Sequence, residues 1–191
     1  MKALLVTGQP SCGKTTLVKR LIELAKAASS LPISGFVTDE VVAGSSRIGF
    51  DVVSVSSEAR GLLARKGLKS RAKTGAYGVD VASFEKIALP LLAQGEGQPR
   101  IVVIDEVGRM EMHSAAFADT VRALLEDDDV LLLGDGQHPL RGELQGAATV
   151  LGGGGGNYHE QCDYDRGSQM WPHYVNCGGV RLQIRVRALC H

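Results

Sequence analysis

The sequence predicts an α/β fold, a mostly parallel sheet flanked by helices, over residues 1–134. Three observations predict it. Ala3-Leu4-Leu5-Val6-Thr7 is an apolar strand that runs through the glycine-containing loop Gly8-Gln9-Pro10-Ser11-Cys12-Gly13-Lys14-Thr15 into a helix. Ile101-Val102-Val103-Ile104 is a continuous β-branched run, as a parallel strand covered on both faces requires. Around them, helical and strand patterns alternate along the chain, the signature of stacked βα units.

The first unit carries the strongest chemistry. Its loop fits G-x-x-x-x-G-K-[ST] without a substitution. Glycines let backbone N–H groups turn inward around phosphate oxygens, and the helix that follows adds its positive dipole end. Lys14 is expected to reach the β- and γ-phosphates, and the Thr15 hydroxyl to ligate Mg²⁺. Leu17, Leu21 and Leu24 share one helix face. Cys12 lies inside the loop, where the helix terminus favours its thiolate. It reads as a site of inactivation by alkylation or oxidation.

A second strand is expected over Ile33 to Thr38, ending in Thr38-Asp39-Glu40. Asp39 or Glu40 is placed either near a metal or water, or simply at a polar strand end. Val41-Val42 and Arg47 to Val55 read as a hairpin turning at Ala43-Gly44-Ser45-Ser46. Arg65 to Lys73 is basic and reads as an exposed loop, either solvated or a lid over phosphates. Val81 to Leu92 reads as a helix capped by Asp80 or Ser83, with Pro90 kinking or ending it. Another helix opens at Ser114 and runs through Leu125. Val130-Leu131-Leu132-Leu133 is a further buried strand.

The β-branched run ends in two acids, Asp105 and Glu106. Strand tips in a parallel sheet open towards the ligand crevice. Asp105 would hold Mg²⁺ opposite Thr15, and Glu106 would polarise the water that attacks the γ-phosphate. Arg109 and Glu111 follow in a turn. Arg109 either stabilises charge on the transferring phosphoryl group or forms a surface ion pair.

Composition sets limits. The chain has 191 residues, 44% of them hydrophobic, with 21 Lys and Arg against 21 Asp and Glu. That is one domain of ordinary size, and its balanced charge favours neither nucleic acid nor an acidic membrane surface as a partner. No apolar run nears the roughly 18 residues of a membrane helix. The N-terminus does not read as a signal peptide, so the expected location is cytoplasmic, with the four cysteines as thiols.

Residues 135–191 differ. With Gly134 they hold half of the 24 glycines. They read as a divergent, irregular segment whose one clear strand pattern is Val180 to Arg187. Its cysteines and histidines, Cys162, Cys177, Cys190, His159, His173 and His191, lack a C-x-x-C knuckle, so zinc is not expected. Asp135 and His138 show no pattern that points to catalysis.

Several blocks together resemble one family. They are GQPSCGKTTL from Gly8, ISGFVTDEV from Ile33, RIGFD from Arg47, YGVDVASFEKIALPLL from Tyr77 and IDEVGRME from Ile104. In this order they resemble the small cancer-related nucleoside-triphosphatases, the THEP1-type NTPases, over about the first two-thirds of the chain. The resemblance implies a RecA-like or nucleotide-kinase-like P-loop core. It implies a Mg²⁺-dependent hydrolase of broad base specificity, acting on ATP, GTP, CTP and UTP; for the chain itself a monomer is expected. By position it implies phosphate binding by the Gly8 to Thr16 segment, Thr16 included, and catalysis by Lys14, Glu106 and Arg109. Arg109 stands where the family more usually has Lys, which keeps the charge but changes the geometry. A small nucleotide or metabolite kinase, or a non-catalytic nucleotide-binding module, is the alternative.

Overall fold

A computed structural model describes residues 3–7, 13–135, 148–151, 172–177 and 180–185. The strands are β1 (Ala3–Thr7), β2 (Ile33–Ala43), β3 (Ser46–Ser54), β4 (Arg60–Lys66), β5 (Lys73–Thr74), β6 (Tyr77–Val79), β7 (Arg100–Asp105), β8 (Val130–Asp135), β9 (Ala148–Leu151), β10 (Pro172–Cys177) and β11 (Val180–Arg185). The helices are α1 (Lys14–Ala28), α2 (Val81–Leu92) and α3 (Ala115–Glu126), with a 3-10 turn at Glu111–His113.

These strands form one sheet in the order β10-β11-β9-β1-β8-β7-β2-β3-β4-β6-β5. The stretch from β9 to β2 is parallel. It is continued on one side by the antiparallel β3 to β6 and on the other by the β10–β11 hairpin.

β7 lies near the middle, and every residue in it is buried. Its alternate side chains serve two cores. Ile101 and Val103 pack with Val18 and Ile22 of α1 and with Val6, Val37 and Leu133. Val102 and Ile104 pack on the other face with residues of α2 and α3. There Phe36, Phe84 and Phe117 form a trio with ring centroids 5.1 to 6.0 Å apart, Phe84 meeting the other two edge-on. The expected α/β layering follows from this two-sided burial.

α2 is capped by Asp80, whose side chain accepts from the Ser83 N–H at 3.0 Å. Pro90 does not break it. The helix ends two residues later, and Pro90 and Lys86 are both exposed, so water can take up the carbonyl that proline leaves unpaired. α3 is capped by Ser114, bonded to the Phe117 N–H.

Three expectations change. The second strand and the first arm of the hairpin are one element, β2, and the chain turns at Gly44-Ser45. The basic segment is not all loop, because Arg65 and Lys66 end β4 and Lys73 starts β5. Arg65 is fixed there by the neighbouring β3, donating to the Phe50 carbonyl at 2.7 Å and to the Asp51 carboxylate. Beyond Asp135, the described residues add three strands, and β9 pairs in parallel with β1. Of these, only the strand at Val180–Arg185 is legible in the sequence.

Candidate functional site

The parallel strands β1, β8 and β7 lie side by side, so their C-terminal tips open onto one crevice. Gly13 enters it in the left-handed region, at φ 89°, a conformation glycine adopts freely and L-residues resist. That turn starts α1 and puts Lys14 and Thr15 at its first turn. Thr16 follows on the same turn. Gly8, Gln9, Pro10, Ser11 and Cys12 lie outside the described residues, as do His138, His159, Cys162, Cys190 and His191.

A cleft of about 540 Å³ runs from Gly13, Lys14 and Thr15 past Asp105, Glu106 and Asp135. The structure therefore brings both sequence constellations to one place. The Lys14 ammonium is buried and lies 3.6 Å from Asp135 Oδ2. Asp105 is 1% exposed, and neither of its carboxylate oxygens has a hydrogen-bond partner. Burial pushes its pKa up to about 6. The nearby Thr15 hydroxyl opposes this, Glu106 adds to it, and Lys19 and Lys14 oppose it. The Asp105–Glu106 peptide bond is cis.

Two further acids were not legible as site residues. Asp135, at the tip of β8, is 1% exposed and its Oδ1 has no partner. Burial pushes it up to about 7, with Lys14 opposing and Glu106 and Asp105 adding to the effect. Glu111 is 2% exposed and reaches about 8, again through burial first. It accepts from the Gly108 N–H at 3.1 Å. A side chain at Gly108 would strike Glu106 Oε1 at 2.5 Å and Glu111 Oε2 at 2.8 Å, so only glycine lets these two carboxyls close on the turn. A signal for Asp135 did exist: Val130-Leu131-Leu132-Leu133-Gly134-Asp135 is an apolar strand ending in an acid, the same pattern that marks Asp105.

The remaining expectations divide. Arg109 is exposed on the cleft wall and pairs with no described residue. Glu111, the carboxylate next in the turn, is buried against the Gly108 backbone and is not its ion-pair partner. Asp39 is drawn away from the cleft by Lys19 at 2.9 Å and Arg60 at 3.4 Å. Glu40 does line the cleft, paired with Arg47. From the basic segment and its flank, Thr74 reaches the cleft.

Such an arrangement suits a cation and an anion arriving together. Three buried carboxyls with raised pKa values, Asp105, Asp135 and Glu111, line the cleft together with the buried Lys14, so the local charge is poorly balanced. The pair of Asp105 oxygens and the Thr15 hydroxyl are hard oxygen donors that fit Mg²⁺, which is usually held by one or two carboxylates plus phosphates and water. Among the described residues there is no cluster of three His, Cys, Asp or Glu that would cage a metal without such a ligand.

Comparison with known proteins gives a consistent result. A family model described as NTPase matches residues 3–135. The human cancer-related nucleoside-triphosphatase is 45% identical over 139 residues, covering 68% of this chain and 72% of that protein. The nucleoside-triphosphatase THEP1 of Methanothermobacter thermautotrophicus is 36% identical over 129 residues, covering 68% and 73%. The crystal structure of THEP1 from Aquifex aeolicus superposes with a TM-score of 0.66 at 31% identity, covering 78% of this chain and 87% of that one.

Proposed function

The chain belongs to the nucleoside-triphosphatase family of THEP1 and the human cancer-related enzyme, and we propose that within it this chain is a Mg²⁺-dependent hydrolase of broad base specificity. It is an enzyme that splits nucleoside triphosphates to the diphosphate and phosphate. The observation that carries the finer reading is the convergence of Lys14, Thr15, Asp105 and Glu106 at one end of the cleft.

Lys14 binds and orients the β- and γ-phosphates from the first turn of α1. Asp105 and Thr15 would hold Mg²⁺, which when bound supplies positive charge to the phosphate oxygens as negative charge builds on them. Glu106, next along the chain, takes the proton of the attacking water. As the water oxygen bonds to the γ-phosphorus, the bond to the β-phosphate oxygen breaks and the diphosphate leaves with the electron pair. Arg109, exposed on the wall and paired with no described residue, can swing onto the γ-phosphoryl oxygens. Burial of Asp105 and Lys14 keeps water from screening these charges. Broad base specificity is supported by relatives named for nucleoside triphosphates as a class. No helix among the described residues is long and apolar enough to cross a membrane.

The test is phosphate release from ATP, GTP, CTP and UTP with and without Mg²⁺. All four should be hydrolysed only with the metal, and Lys14→Ala should abolish release. Equal release without Mg²⁺, or hydrolysis of one base alone, would refute the finer reading.

A further inference from the structure

The cleft is longer than hydrolysis requires. Water needs no binding wall of its own, yet the cleft continues past Glu106. Asp105 lies opposite Val37 in register, so the next residue of β2, Thr38, stands just beyond the acids. Glu40 lies opposite Phe50 on β3, one strand further out. From β7, which carries Asp105, to β3 is two strand spacings, about 10 Å.

The chemistry of this outer half differs from that of the inner half. Arg47 is held as a flat plate. Its guanidinium pairs with Glu40, donates to the Tyr77 hydroxyl at 3.3 Å, and lies 5.1 Å from the centroid of the Phe50 ring. Tyr77 in turn meets Phe50 edge-on at 5.3 Å. Met110 gives an apolar flank, and Arg109 offers a cation that no described residue neutralises. Between the two halves, Thr38 Oγ1 is buried and has no hydrogen-bond partner. A planar ring would stack on the plate of Arg47 and Phe50, and an attached phosphate would meet Arg109 beside Glu106.

We propose that the outer half of the cleft is a second binding site, for a nucleoside monophosphate that accepts the phosphoryl group in place of water. This rests on the phosphohydrolase reading of the inner half. A phosphate oxygen of the monophosphate forms a bond to the γ-phosphorus. The bond from that phosphorus to the β-phosphate oxygen breaks, and its electron pair stays with the departing diphosphate. The monophosphate becomes a diphosphate, and any proton on its attacking oxygen goes to Glu106. No other reactant is needed.

The native protein is incubated with Mg²⁺ and ATP labelled at the γ-phosphate, with AMP, GMP, CMP or UMP or with none. At least one monophosphate should yield labelled diphosphate while labelled phosphate falls. Arg47→Ala and Phe50→Ala should each lose about tenfold or more of that product, as expected for removal of about 1.4 kcal/mol of stacking. Both variants, shown to be folded by thermal melting, should keep acceptor-free phosphate release within about twofold, because neither residue touches the inner half. Phosphate release with no labelled diphosphate from any monophosphate overturns the proposal and leaves the hydrolase reading intact. Simple competition between monophosphate and ATP, unaltered in Arg47→Ala, also overturns it. Labelled diphosphate without phosphate release supports the second site and refutes the hydrolase reading. Neither product refutes both.

Discussion

Two groups of carboxylates lie within a few strands of each other and are treated in opposite ways. On β2 to β4, Asp51 is buried, which alone would raise its pKa. Arg60 and Arg65 outweigh that and hold it below the usual range. Arg60 donates to it at 2.7 Å and also reaches Asp39, which Lys19 grips from the helix side. At the tips of β7 and β8, Asp105 and Asp135 are more deeply buried, and their pKa values are raised to about 6 and about 7. Each acid on the hairpin side has its cation in the fold. On the crevice side Asp135 has Lys14, and Asp105 feels Lys19 and Lys14, yet both acids keep oxygens without hydrogen-bond partners. The difference teaches which charges the chain neutralises for itself and which it leaves for a ligand.

The comparison breaks first if the crevice acids prove structural. Glu106→Gln should lower phosphate release by about 100-fold or more, as removal of a general base does, with melting temperature within about 2 °C of native. A cooperative loss of fold in that variant would contradict the assignment.

The converse change should hurt only stability. Asp51→Ala strands Arg60 and Arg65 and should cost about 2 kcal/mol, or about 4–8 °C in melting temperature. Phosphate release at 25 °C should stay within about threefold of native. A large loss of turnover with an unchanged melt would erase the distinction between the two regions.

The pH response sharpens it further. The folded chain holds protons on Glu111 up to about pH 8, whereas the unfolded chain releases them near the ordinary glutamate value of 4.5. Between those values the folded state binds more protons, so stability falls as pH rises. Glu111→Gln removes that slope. It should melt at least about 3 °C above the native chain at pH 8 and close to it at pH 4.5. Parallel melting curves for the two proteins across this window would show that Glu111 keeps an ordinary pKa.

The smallest effect is expected at Asp135. Its carboxylate lies on Lys14 and competes with incoming phosphate. Asp135→Asn should lower KM for ATP by about two- to fivefold with little change in kcat, since it removes a ground-state contact.

Much of this was open to reading from the chain. The loop ending in Gly13-Lys14-Thr15 and the pair Asp105-Glu106 announce themselves because phosphate and metal chemistry demands those residues at strand tips. The central burial of β7 was written in Ile101 to Ile104. Asp135 was not recognised: it ends an apolar strand as Asp105 does, but only the placing of β8 between β1 and β7 brings that tip to the crevice. β4 was missed because Gly61-Leu62-Leu63-Ala64 does not alternate. Leu63 and Ala64 are both fully buried, and a Cβ on Gly61 would collide with Ile87 of α2. Glu111 looked like a surface turn residue, and only the closure of the Gly108 turn buries it. The outer cleft was hidden for the same reason: Glu40 of β2, Arg47 and Phe50 of β3 and Thr74 of β5 meet only once the sheet has formed.

The most direct test of the central claim is the thermal shift produced by Mg²⁺ with a non-hydrolysable ATP analogue, measured for the native chain and for Asp105→Asn. Without ligand, Asp105→Asn should melt at or above the native temperature, because it removes a carboxylate whose burial outweighs the help of Thr15, Lys19 and Lys14. With ligand, the native chain should gain several degrees and the variant little. Equal gains in both proteins, or a large loss of stability in the unliganded variant, would contradict the claim that Asp105 is left for a metal that arrives with the phosphates.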